Sequence, residues 1–379
     1  MARVRLRDLG IGIGLLPTGQ LNAITDVAGV TVGHTTLICD DPRVARTGVT
    51  VVLPRGEGSQ ADFCFAGYHS FSGCGEMTGL PWVSESGLLM SPVAITNTQQ
   101  VGLVRDAVVE YAAHKYHGAG YWLPVVAETY DGWLNDVYAF HVRKEHVFAA
   151  LDDAAGGPVA EGNVGGGTGM ICHDFKGGIG TSSRLAETPS GRHTVGALVQ
   201  ANYGERRSLR VNGVPVGREI AYDLVPSPWE APPLRSAQGR LFSSSIIVVL
   251  ATDAPLLSVQ CRALAQRATV GLARTGGSGH VFSGDIFIAF ATGNHYPRDA
   301  EQPVDVRAFP LAHLSPLYDA AAEAVEEAIL NALCAAETMT GFQGRTAHAL
   351  PLDRLCEVWA KHGRIPACRA DSGRTGAGC

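Results

Sequence analysis

Six segments of strand length are apolar over most of their residues, and this feature limits the fold more than any other in the sequence. Strands buried on one face alternate apolar and polar residues, whereas continuous apolar runs are typical of sheets covered on both faces. Helical patterns begin at Val101, Ala254 and Ser315. The sequence therefore predicts an α/β protein with buried sheets. The predicted strands begin at Thr47, Ser91, Gly120, His193, Ser245 and Asp285.

The composition is that of a compact globular chain without the charge pattern of a nucleic-acid-binding protein. The 379 residues include 17% charged and 46% hydrophobic residues, and the formal net charge is −6. Lysine and arginine are scattered, whereas a protein that follows a phosphate backbone gathers them in a basic stripe. We therefore expect no nucleic-acid partner.

No segment has the pattern of an export signal or a membrane span. The first residues are basic and then apolar, but Gly10, Gly12, Gly14 and Pro17 interrupt the apolar part. A membrane helix needs about 18 or more consecutive apolar residues, and no segment approaches that length. Nine cysteines without a C-x-x-C pair fit reduced thiols better than a disulfide framework. These patterns predict a soluble, cytoplasmic protein with no membrane partner.

Glycine-rich segments are abundant, but they complete none of the motifs that bind nucleotides. The segments from Gly162, Phe175 and Thr275 contain neither G-x-G-x-x-G nor the P-loop pattern. We interpret their glycines as turn residues that let two backbones approach closely. The G-x-S-x-G element of α/β-hydrolases and the H-E-x-x-H zinc motif are also absent. We expect no cofactor and no metal ion.

A proline-rich stretch, residues 224–240, interrupts the regular patterns and is predicted to be an exposed connector. Directly after it, Ser243, Ser244 and Ser245 precede the apolar run that begins at Ile246. A serine-rich turn before a strand is ordinary, but an exposed connector is also a place where a chain can be cut. The sequence shows no other boundary and is predicted to form one domain. Residues 366–379 lack periodicity and are predicted to be a disordered tail.

A cut before Ser245 would create a nucleophile that needs no histidine. The new terminus would carry a free α-amine, whose reference pKa of about 7.7 to 8.0 leaves a useful fraction unprotonated near neutral pH. That amine can act as the base for the hydroxyl of the same residue. This chemistry suits a sequence without an evident Ser/His/Asp arrangement.

Several long motifs, in order from about Leu21 to Arg364, resemble the DmpA-type self-processing aminopeptidases. This family contains the L-aminopeptidase/D-amidase-esterases and the β-aminopeptidases. The motifs are "LNAITDVAGVTVGHTTL" from Leu21, "AGYHSFSGCGEMTGL" from Ala66, "AETYDGWLND" from Ala127, "GNVGGGTGM" from Gly162, "FKGGIGTSSR" from Phe175, "LVQANYG" from Leu198, "VNGVPVGRE" from Val211 and "SIIVVLATDAPLL" from Ser245. The resemblance implies a four-layer α/β/β/α sandwich, shared with the ornithine acetyltransferases and similar to N-terminal-nucleophile hydrolases.

The resemblance also implies the catalytic residues. Ser245 matches the nucleophile of the family, which becomes the N-terminus of a β chain after self-cleavage. Ser283 and Asp285, in a Ser-Gly-Asp element, match residues that orient the terminal amine and relay its proton. Asn202 matches the asparagine of the oxyanion hole, where such donors contribute about 2.7 to 4 kcal/mol. The alternatives are a strand-start serine with a solvated aspartate, and a turn asparagine that caps a strand.

Glu128 matches the acidic residue that meets the free amino group of the substrate, and such a charge pair would reject peptides with blocked N-termini. A salt-bridged glutamate at a strand end is the alternative for this residue. Trp133 and Asn135 are candidates for the same pocket, and a core or turn role fits them equally well.

The predicted cleavage site is the bond between Ser244 and Ser245, which would give an α chain of residues 1–244 and a β chain of residues 245–379. Well-known members of the family carry Gly or Asn before the nucleophile, so Ser244 departs from the family pattern. Because serine has less backbone freedom than glycine, Ser244 predicts slower self-cleavage. The expected assembly is a homo-oligomer, a tetramer of αβ units.

The predicted function is an N-terminal-serine aminopeptidase acting through an acyl-enzyme on short peptides, amino-acid amides or esters, including D- or β-amino-acid substrates. An acyltransferase using the same nucleophile is the first alternative. A binding protein without catalytic activity on the same fold is the second.

Overall fold

The computed structural model describes residues 3–116, 121–229 and 244–363. The strands are β1 Thr31–Cys39, β2 Ala45–Leu53, β3 Asp62–Gly73, β4 Leu88–Leu89, β5 Val93–Asn97, β6 Val125–Thr129, β7 Ile171–Cys172, β8 Phe175–Lys176, β9 Gly178–Thr188, β10 Gly191–Asn202, β11 Ser244–Thr252, β12 Ser283–Pro297, β13 Met339–Thr340 and β14 Thr346–Ala347. The helices are α1 Leu80–Ser86, α2 Val101–Lys115, α3 Lys144–Asp152, α4 Val216–Glu219, α5 Ser258–Thr275, α6 Ser315–Ala335 and α7 Leu352–Lys361. All six predicted strands and all three predicted helices are present.

Two sheets and two helical layers form a four-layer α/β/β/α sandwich, as predicted. One sheet has the strand order β1-β2-β5-β6, and the other has the order β4-β3-β12-β11-β10-β9. Helices α2 and α3 cover the outer face of the first sheet. Helices α5 and α6 cover the outer face of the second. A third apolar core lies between the sheets.

Strand β11 is apolar from Ile246 to Ala251 because it lies in the middle of the six-stranded sheet and is covered on both faces. Ile246 and Val248 belong to the core beneath α5 and α6. Ile247 and Val249 belong to the core between the sheets. Neighbouring residues of this strand therefore point into different layers, and this alternation determines which way each serine at its start faces.

The prediction that the glycines from Phe175 onward lie in turns is wrong for Gly180, which lies inside β9. A Cβ on Gly180 would come within 2.0 Å of the carbonyl oxygen of Ala328 on α6. Gly67 on β3 has the same role, since its Cβ would lie 2.5 Å from the backbone nitrogen of Arg262 on α5. These glycines let helices approach the sheet more closely than any side chain would allow.

Part of the predicted connector and the whole predicted tail, residues 366–379, lie outside the described residues. Within the connector, residues 224–229 form neither helix nor strand, and Val225 and Pro228 are buried. Among the helices that the structure describes, none combines the length and the apolar character needed to cross a lipid bilayer.

Candidate active site

Ser245 lies at the beginning of the central strand β11, between one antiparallel and one parallel neighbour. In the antiparallel register it stands opposite Asn202, the last residue of β10. In the parallel register it stands beside Gly284 of β12. The sheet thus brings the predicted nucleophile, the predicted oxyanion donor and the Ser-Gly-Asp element together, although they are far apart in the chain.

The hydroxyl of Ser245 is directed at the peptide bond that precedes it. Its Oγ donates a hydrogen bond to the carbonyl oxygen of Ser244 over 2.6 Å. The same Oγ accepts a hydrogen bond from the backbone N–H of Gly284 at 3.2 Å. Ser245 is buried, so few competing water contacts are available to it. The hydrogen bond to Ser244 places the hydroxyl beside the carbonyl group that an N-to-O acyl shift would attack.

Ser244, Ser283 and Asp285 form a hydrogen-bonded chain on the opposite face of the sheet. The hydroxyls of Ser244 and Ser283 are 3.0 Å apart. Ser283 in turn donates to Oδ1 of Asp285 over 2.6 Å. Burial raises the pKa of Asp285 to about 6, although hydrogen bonds from Ser283 and from the backbone of Ile246 favour its ionised form. In the uncut chain, the predicted relay therefore ends on Ser244 and not on Ser245.

Two backbone partners fix the amide of Asn202. Its Oδ1 accepts a hydrogen bond from the N–H of Ile171 at 2.8 Å. Its Nδ2 donates to the carbonyl oxygen of Tyr130 over 3.0 Å. Because a carboxamide has two N–H groups, Nδ2 carries a second proton that the bond to Tyr130 does not use. Asn202 is not the strand-capping turn residue that was the alternative, since it ends a central strand and is buried.

Glu128 lies on β6 of the other sheet, a strand that packs against β11. One carboxylate oxygen accepts a hydrogen bond from the N–H of Glu76 at 3.0 Å, and the other accepts from the hydroxyl of Thr98. Burial raises the pKa of Glu128, while these two donors favour the ionised form. No lysine, arginine or histidine side chain of the described residues forms an ion pair with Glu128. It is not the salt-bridged glutamate that was the alternative.

The loop after β3 connects Glu128 to the nucleophile, and sequence reasoning did not single it out. A Cβ on Gly75 would lie 2.9 Å from the Cα of Gly284 and 3.1 Å from a carboxylate oxygen of Glu128. Only a glycine backbone fits between these two groups. The residues lie within the motif from Ala66, so the motif marked the segment but not the contact.

Trp133 and Asn135 lie at the edge of this site. Asn135 accepts a hydrogen bond from the N–H of Arg46 at 3.0 Å and donates to Asp131 over 3.1 Å, so it has the turn role. Trp133 packs beside Ile171, whose N–H holds Asn202. In the part of the chain that the structure describes, no group of three or more His, Cys, Asp or Glu side chains is placed to hold a metal ion.

A buried serine at the start of a central strand, on an α/β/β/α sandwich, is the arrangement expected of a hydrolase of the N-terminal-nucleophile type. The comparisons with known proteins narrow that class. The model of peptidase family S58 matches residues 22–347. The chain belongs to peptidase family S58, and it is a serine aminopeptidase.

Relatives and solved structures agree with this assignment. The beta-peptidyl aminopeptidase BapA of Sphingosinicella microcystinivorans is 46% identical over 374 residues, covering 96% of this chain and 94% of the relative. The structure of a beta-aminopeptidase from Burkholderia sp. is similar with a TM-score of 0.88 at 50% identity, covering 96% of this chain and 100% of that one. The L-aminopeptidase D-Ala-esterase/amidase of Ochrobactrum anthropi, described as a prototype of the serine aminopeptidases and a variant of the Ntn hydrolase fold, has a TM-score of 0.86 at 44% identity. That match covers 95% of this chain and 99% of the other.

Proposed function

We propose that the protein cuts its own chain between Ser244 and Ser245, and that it then removes the N-terminal residue from short peptides, amino-acid amides or esters, β-amino acids included. The observation that carries this proposal is the Ser245 hydroxyl, which contacts the carbonyl oxygen of Ser244 and lies beside Asn202. The names of two relatives support β-amino-acid substrates, because both are β-peptide aminopeptidases at 46% and 50% identity.

Self-cleavage begins with attack of the Ser245 oxygen on the carbonyl carbon of Ser244. The new C–O bond replaces the C–N bond, and the departing nitrogen takes up the proton that the hydroxyl loses. Water then hydrolyses the ester, which leaves a carboxylate on Ser244 and restores the hydroxyl of Ser245 beside a free α-amine. The residue that departs from the family pattern, Ser244, is held by Ser283 before this step.

Peptide hydrolysis repeats the attack on a substrate carbonyl. The α-amine of Ser245 takes the hydroxyl proton and becomes an ammonium group, while Asn202 donates to the oxyanion. Once Ser244 has left its place, Ser283 is free to accept the new amine as a partner, and the carboxylate of Asp285 stabilises the positive charge. The ammonium proton then goes to the leaving amine, and water resolves the acyl-enzyme.

We expect the activity of the cut enzyme to fall steeply below about pH 6. The raised pKa of Asp285 means that its carboxylate is lost as the pH falls through about 6, and the α-amine, with a reference pKa of about 7.7 to 8.0, must also be unprotonated. The logarithm of kcat/KM should therefore rise with a slope of about two below pH 6 and about one between pH 6 and 8. The side chain of His280 also acts electrostatically on Asp285 and lowers its pKa. A slope of about one extending below pH 5 would contradict a role for ionised Asp285.

The substrate's ammonium group is proposed to bind Glu128, so Glu128→Gln should weaken binding of substrates with a free N-terminus. The variant keeps the shape of the side chain and one of its two acceptor oxygens but removes its charge. We expect KM for free-amino p-nitroanilides to rise by about 10- to 100-fold, since charge-assisted pairs in buried sites contribute about 1.5 to 3 kcal/mol. Release of p-nitroaniline measures both KM and kcat.

A matched control is Glu326→Gln, which changes another buried glutamate, one that pairs with Arg274 on the outer helical layer. It should leave KM unchanged. The acyltransferase alternative finds no support in the comparisons. Turnover of N-acetylated anilides alone, with no release from free-amino ones, would contradict the proposed function.

We also propose that the protein is cytoplasmic and forms a homo-oligomer, a tetramer of αβ units, without nucleic-acid or membrane partners. Exposed apolar side chains that subunit contacts would cover support the assembly, among them Tyr121, Tyr138, Val281 and Leu311. Light scattering coupled to size exclusion measures the number of αβ units directly.

A further inference from the structure

The hairpin of β7 and β8 has a turn in an unfavourable backbone conformation. His173 and Asp174, the two residues between the strands, have φ values of 50° and 58°. Two consecutive positive φ values are typical of the tight hairpin turn that normally takes Asn-Gly, and two residues other than glycine are uncommon there. Such conformations persist only where the surroundings hold them in place.

The carboxylate of Asp174 is the centre of those surroundings. Its Oδ2 accepts hydrogen bonds from the hydroxyl of Tyr222 at 2.5 Å and from the N–H of Arg206 at 3.1 Å. Its Oδ1 accepts from Nε1 of Trp229 at 2.8 Å. Two of the three donors therefore come from the last described segment before the proposed cleavage site.

Arg206 also contacts the segment 222–229. Its guanidinium group stacks between the rings of Phe175 and Tyr222, at 4.1 and 4.5 Å from their centroids. It donates to the carbonyl oxygens of Val225 and, over 2.6 Å, of Asp174. The hairpin and the segment 222–229 are thus joined by both side chains.

A pair of tryptophans completes the contact. The rings of Trp133 and Trp229 meet edge to face with centroids 4.7 Å apart, and Nε1 of Trp133 donates to the carbonyl oxygen of Pro228 over 3.0 Å. Both rings pack against a small core that contains Ile171. Ile171 is the residue of β7 whose N–H holds Oδ1 of Asn202.

We propose that Asp174 is a positioning residue, a clamp that keeps the segment 222–229 docked on the hairpin and so aligns Asn202 for catalysis. This inference rests on the proposed role of Asn202 as the oxyanion donor. One hairpin connects the two groups, with Asp174 at its turn and Ile171 at its base. On this view the segment 222–229 remains part of the active-site support after the chain has been cut.

The test replaces Asp174 and measures the matured enzyme. Asp174→Ala should lower kcat for a free-amino p-nitroanilide by about tenfold, which corresponds to about 1.4 kcal/mol, while KM changes less than twofold because Glu128 lies on a different strand. Tryptophan emission should shift to longer wavelength as Trp229 is released. Asp174→Asn should recover part of kcat, since asparagine tolerates the left-handed turn and its one amide oxygen still accepts from Trp229, while its NH2 group cannot accept from Arg206.

The matched control is Asp152→Ala, because Asp152 also accepts a tyrosine hydroxyl at 2.5 Å, from Tyr111, in the distant helical layer. It should change neither kcat nor emission. If Asp174→Ala does not fold, the double variant Tyr222→Phe/Trp229→Phe removes two donors and keeps an aromatic ring at each position. In either case, a kcat within twofold of the Asp152→Ala value overturns the clamp. If Asn202→Ala also leaves kcat unchanged, the proposed catalytic role of Asn202 fails as well, whereas an effect confined to Asn202→Ala refutes the clamp alone.

Discussion

Replacing Ser245 with alanine is expected to abolish both self-cleavage and peptide hydrolysis. Removal of the nucleophile from a serine hydrolase lowers kcat by about 10⁴- to 10⁶-fold, and here the same oxygen is also the group that attacks the Ser244 carbonyl. The variant should run as one full-length chain on a denaturing gel, while the natural sequence gives two. Intact-mass analysis and N-terminal sequencing of the smaller chain, which should begin Ser-Ile-Ile-Val-Val, measure the cut directly.

Ser86→Ala is the control for the Ser245 variant. The hydroxyl of Ser86 donates to the carbonyl oxygen of Trp82 within α1, at the edge of the fold where Gly87 meets the start of α5, and it should be cut and active. An uncut natural chain that still hydrolyses free-amino anilides would contradict the N-terminal-serine mechanism. So would a Ser245→Ala protein that is cut at the normal rate.

The second large effect is expected for Asn202→Ala, which should lower kcat by about 10²- to 10³-fold with little change in KM. Loss of one oxyanion donor costs about 2.7 to 4 kcal/mol in enzymes where it has been removed. The substrate's ammonium group should still bind, because Glu128 keeps its own hydrogen bonds from Glu76 and Thr98. Steady-state kinetics on a free-amino p-nitroanilide separate the two constants.

Asn294→Ala controls for the loss of a buried asparagine. Asn294, near the far end of β12, likewise accepts from one backbone N–H and donates to one carbonyl, both of Arg307. Both variants should lose stability, since each leaves one backbone N–H and one backbone carbonyl group without their side-chain partner. Equal kcat values for the two would show that Asn202 contributes only to the fold.

The sequence could predict the strands that are covered on both faces, because their continuous apolar runs can be identified without knowing which elements pack against them. It could not predict β3 and β9 in the same way. Strand β9 contains Gly178, Gly180 and three polar residues before Arg184, and that pattern resembles a loop. Its burial comes from α6, which approaches only because Gly180 lacks a side chain. That approach depends on residues almost 150 positions away in the chain.

In the candidate site, too, the sequence could predict some features and not others: the residues could be predicted, but the contacts between them could not. The resemblance to the self-processing aminopeptidases was sufficient to single out Ser245, Asn202, Asp285 and Glu128, because each matches a position of the family's motifs. The contacts between them depend on strand register, which local patterns do not reveal. Two contacts depend on the placement of β12 beside β11 and beside the loop after β3. They are the hydrogen bond between Ser283 and Ser244 and the close packing of the backbone at Gly75.

The position of β11 between β10 and β12 has a further consequence for a chain that is cut at its first residue. The new end would be held on one side by a strand of the other polypeptide and on the other side by a strand of its own. Breaking the peptide bond there removes no packing from any of the three cores. The two polypeptides can then unfold in one cooperative transition, because the hydrogen bonds of the sheet still connect them where the backbone is broken.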